Sequence, residues 1–94
     1  MTEDRAETVA LTALGWLAGH DELMPVFLGS TGTSTEEMAA RAGDQDFLAS
    51  VLDFLCMDDG WIAELCQATD LKPTEPLTAR HVLSGEARSD FSSW

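Results

Sequence analysis

Between Asp46 and Met57 the chain reads DFLASVLDFLCM, and only Asp46, Ser50 and Asp53 are polar. Those three are spaced four and three apart, so at helical period they fall on one narrow stripe. Phe47, Leu48, Val51, Leu52, Phe54, Leu55 and Cys56 take most of the remaining circumference. A helix apolar over so much of its surface has to be covered by other helices. Leaving it wet forfeits roughly 1.5–3 kcal/mol per large side chain. The pattern predicts a central covered helix and an all-α fold of five or six short helices packed orthogonally around it.

The segments on either side carry helix punctuation. Thr2 is placed to cap a first helix whose apolar face is Val9, Ala10, Ala13, Leu14, Trp16 and Leu17, with Gly19 as its stop. A second, shorter helix is expected from Asp21 to about Leu28, or from Met24 if Pro25 must sit in the first turn. Gly29 to Thr33 reads as a loop. Ser34 with Glu37 fits a capping box before a third helix, Thr35 to Ala42, that ends at Gly43. Asp44 caps the central helix, and Asp58, Asp59 and Gly60 break it. A fifth helix follows from Trp61 to Thr69, then a turn over Asp70 to Pro76 with Pro73 suited to a first helical turn. A last helix runs from about Thr74 to Leu83. The expected organisation is one helical domain, residues 1–84, followed by a polar tail, residues 85–94, that is either a solvated end or docks Phe91 or Trp94 in an apolar groove of its own domain or of a neighbouring copy.

The two halves overlay at an offset of 39 residues, which sets Thr35-Glu36 on Thr74-Glu75, Ala40-Arg41 on Ala79-Arg80 and Ala10 on Ala49. Duplication and convergent helix chemistry are both open on so few identities. The same overlay puts Cys56 in the slot of Leu17 and Cys66 in that of Phe27, both core-type positions.

The runs ALGWLAGHDELMPVFLGSTG and MAARAGDQDFLASVLDFLCMDDGWIAEL resemble a small bacterial family, domain of unknown function 3572. Its GD-x-x-FL-x-x-VLDFL segment falls here on Gly43, Asp44, Phe47, Leu48, Val51, Leu52, Asp53, Phe54 and Leu55. The resemblance covers about Thr8 to Leu83. It implies a compact helical protein from alphaproteobacteria-like sources and supplies no catalytic residues to transfer.

Charge narrows the partners. Seventeen acids against five bases leave a formal net charge of −12, which opposes nucleic acid and anionic membrane surfaces alike. No basic segment followed by an apolar one opens the chain, and the charge-free run Thr8 to Gly19 is too short to span a bilayer. Two cysteines without CxxC spacing fit reduced thiols in the cytoplasm.

Each candidate site has a plainer account. AARAGDQDFLASVL echoes a helix-turn-helix, but its second helix would offer Asp44, Asp46 and Asp53 to a phosphate backbone, so hairpin packing is the better reading. A calcium loop around Gly60 would need acids at Leu55 and Met57 and a glutamate at Cys66. Capping of the fifth helix explains Asp58 and Asp59 instead. His20 with Asp21 and Glu22, even joined by His81, lacks HExxH or CxxC spacing. GSTGTST lacks the lysine of a phosphate loop. Cys56 and Cys66 have no base near them in sequence, and Trp16 and Trp61 fit core positions. No catalytic, cofactor-binding or metal-ligating residue is therefore assigned and no cofactor is expected. Two function classes remain: a non-enzymatic interaction module docking a protein partner or a second copy, which the sequence favours, and a small-molecule binder or enzyme with a pocket near His20 and Asp58-Asp59.

Overall fold

The computed structural model describes residues 1–84, in which six α-helices follow one another. They are α1 (Glu3–Ala18), α2 (Leu23–Thr31), α3 (Thr35–Arg41), α4 (Gln45–Leu55), α5 (Asp59–Ala68) and α6 (Glu75–Ser84). The fold is all-α, without strands among the described residues. Phe91 and Trp94, expected to dock in a groove, lie outside the described residues, as does the tail 85–94 as a whole.

Side-chain oxygens fix where four helices begin. Thr2 Oγ1 accepts from the Arg5 N–H at 3.1 Å, Ser34 Oγ from Glu37 at 3.2 Å and Asp44 Oδ1 from Asp46 at 2.9 Å. Asp58 Oδ1 accepts from both Gly60 (2.7 Å) and Trp61 (3.3 Å). Each such cap satisfies a backbone donor that the helix leaves free, for about 1 kcal/mol. The start of α2 is different. Its N-cap Glu22 provides no side-chain bond. The imidazole of His20 does so instead, with Nδ1 accepting the Leu23 N–H at 3.1 Å.

Four boundaries depart from the sequence expectation, the first being the start of α5, where Asp59 and Gly60 are helical rather than part of the break. The GSTGT stretch is not a loop from Gly29: α2 continues through Thr31 and stops at Gly32, whose φ of 68° is the left-handed conformation that glycine adopts freely. The extra turn is held by the Thr31 hydroxyl on the Phe27 carbonyl (2.8 Å) and by burial of Phe27 itself. Cys56 is the C-cap of α4 rather than an interior residue and is only half-buried. At α6 it is Pro76, not Pro73, that sits inside the first helical turn, where a missing N–H costs nothing.

The core is a three-helix contact. The largest interface is α1 with α6, followed by α4 with α6 and α1 with α4. Ala6, Val9, Ala10, Ala13 and Leu17 of α1 meet Phe47, Leu48, Val51, Leu52 and Leu55 of α4, with Ala79 and Leu83 of α6 completing the cluster. The alanines of α1 and α6 let those helices approach closely, and the large side chains of α4 fill the space between them. The covered helix foreseen at Asp46–Met57 is α4.

Two of the three peripheral helices, α2 and α5, attach through rings. Phe27 of α2 stands edge-on to Phe47 (6.1 Å between centroids) and to Phe54 (5.2 Å), and Trp61 of α5 stacks on Phe54 at 4.9 Å. Trp16 and Trp61 are half-buried against the core rather than inside it. The offset of 39 residues sets α3 on α6, yet the two pack differently. α6 is wedged between α1 and α4, whereas its counterpart under the offset, α3, touches them only at an edge.

Ion pairs tie the ends of this arrangement. Arg5 donates from Nε (3.2 Å) and Nη2 (2.7 Å) to Glu75 Oε2, joining the first turns of α1 and α6. Glu75 Oε1 accepts the backbone N–H of Lys72 at 2.9 Å. That backbone bond, then the Arg5 guanidinium, hold the Glu75 carboxyl below the usual glutamate range.

Candidate functional site

The polar stripe of α4 faces outward as its spacing demands. Asp46, Ser50 and Asp53 are exposed and, with Ala49, line an open concavity of about 310 Å³ closed on its other side by Arg80 and Ser84 of α6. Arg80 Nη1 donates to Asp53 Oδ1 at 2.9 Å, and Ser50 Oγ returns to the Asp46 carbonyl at 3.0 Å. The Arg80–Asp53 pair bridges it, so this concavity is a seam between two helices.

The histidine and aspartate candidates are not brought together. His20 shares a wide, shallow depression of about 370 Å³ with Gly19, Asp21, Glu22 and Glu64. Its ring is held by the Leu23 N–H on one side and by Trp16, edge-on at 5.0 Å, on another. Asp59 lines a different, smaller depression of about 130 Å³ with Cys56, Ile62, Pro73 and Leu77, and Asp58 is occupied as the cap of α5. Among the described residues no three His, Cys, Asp or Glu side chains are grouped to hold a metal ion.

Both thiols are free and half-buried. Burial pushes Cys56 up from the ordinary thiol value; the Arg80 cation offsets part of this and Asp53 adds to it. Cys66 is pushed up by burial and then by the Glu75 carboxylate. Neither is an activated nucleophile, since reactivity follows the thiolate fraction.

A third kind of surface lies between α1, α2 and α3. Leu14, Ala18, Met24, Met38, Ala39 and Ala42, with Thr35 at one edge, line an open groove of about 210 Å³. Leu14 and Met38 are buried and form its floor, while Ala18 and Ala39 are exposed on its walls. The groove exists because three wall positions are alanine: α3 approaches α1 and α2 without filling the space between them. Thr35 supplies the only polar side chain in the lining. Water in such a groove has few partners, which favours its displacement by apolar groups.

The groove was not among the sequence candidates. Met38 is buried, and Ala18, Ala39 and Ala42 carry no signal of their own. Small residues at helical spacing describe close packing and an unfilled groove equally well.

No helix among the described residues is long and apolar enough to cross a membrane. The family model described as Protein of unknown function (DUF3572) matches residues 3–86, and the chain belongs to that family. No curated protein and no solved structure matches it.

Proposed function

We propose that this DUF3572 protein is a small acidic, non-enzymatic interaction module of the bacterial cytoplasm that docks a protein partner in the groove between α1, α2 and α3. One observation carries the reading. The groove is a solvent-open apolar concavity whose lining has a single hydroxyl and no ionisable group. Such a site offers burial to an apolar anchor and lacks the acid, base or nucleophile that a reaction would require. Its two methionines suit a docking surface, because an unbranched thioether repacks around differently shaped anchors.

The competing reading, a binder or enzyme using His20 and Asp58-Asp59, has less support because His20 and Asp59 line separate depressions and Asp58 is committed to a helix cap. The cytoplasmic assignment is supported by two unpaired thiols, and the exclusion of nucleic acid by the charge of −12.

Affinity capture from a host lysate tests the reading, with wild type and Ala39→Arg as parallel baits. Ala39 is exposed on α3, so the substitution fills the groove without entering the core. A protein retained by the wild type and lost with Ala39→Arg is the expected result. Identical retained sets would end the case for this groove.

A further inference from the structure

We draw no further inference here: the strongest candidate, the apolar groove between α1, α2 and α3, belongs to the site already described, and nothing in the structure shows what covers it.

Discussion

Arg80 of α6 places Nη1 2.9 Å from Asp53 Oδ1 of α4, across a gap of 27 residues, and so closes the seam between the two helices that meet most extensively after α1 and α6. The pair is asymmetric: the Asp53 side chain is 64% exposed and that of Arg80 only 24%. Arg80 Nε is buried and finds no partner among the described residues. Asp53→Ala should therefore cost no more than about 1 kcal/mol, as for exposed ion pairs, and less in high salt. Arg80→Met keeps the stem against the core and removes the unpaired donor, so its denaturation midpoint should stay level or rise. A loss of about 3 kcal/mol or more in Arg80→Met would show that the guanidinium is essential to the seam.

Leu52 is fully buried in the middle of α4. Leu52→Ala should cost about 2–5 kcal/mol through lost burial and the cavity left behind. Against the roughly 5–10 kcal/mol available to a domain of this size, that approaches unfolding at physiological temperature. Urea denaturation of the variant gives the number, and a midpoint within error of wild type would contradict the packing around α4.

The carboxyl of Glu75 is held down by the Lys72 N–H and by Arg5, so its protonation favours the unfolded chain. The stabilisation is present above the ordinary glutamate value of 4.5 and is lost as the pH falls through the lower folded value. Wild type should melt above Glu75→Gln at neutral pH, with the gap narrowing below about pH 4. A gap that stays constant down to pH 2 would mean that the carboxylate does not act through its charge.

With both thiols pushed up, native Cys56 and Cys66 should react with a thiol reagent more slowly at pH 7 than the same residues in denaturant. The charges beside Cys56 set a sign that can be read separately. Asp53→Asn should speed its labelling and Arg80→Met should slow it. Mass-resolved labelling of the two sites would expose the opposite order at once.

What the sequence made legible was local. Thr2, Ser34, Asp44 and Asp58 cap helices through bonds to backbone two or three residues away, so residue type and position suffice to find them. The stripe of Asp46, Ser50 and Asp53 was equally readable, because periodicity alone decides which face is wet. The end of α2 was not readable. Gly29, Ser30 and Thr31 are poor helix formers, and the burial of Phe27 between Phe47 and Phe54, with the Thr31 hydroxyl on the Phe27 carbonyl, carries the helix past them. The groove was invisible for a further reason: it is a space left by three helices, and no single stretch of chain contains it.

The wedge of α6 between α1 and α4 also bears on how the protein is made. Arg5 waits for Glu75, 70 residues later, and the Ala6–Val9–Ala13 face of α1 waits for Ala79 and Leu83. At roughly 5–20 residues per second, the ribosome needs several seconds to supply that partner. During that interval the apolar face of α1 lacks its largest partner and is sheltered mainly by α4. Closure is thus set late in translation, and a nascent chain halted after Asp70 should remain open to protease along α1 while the released protein does not.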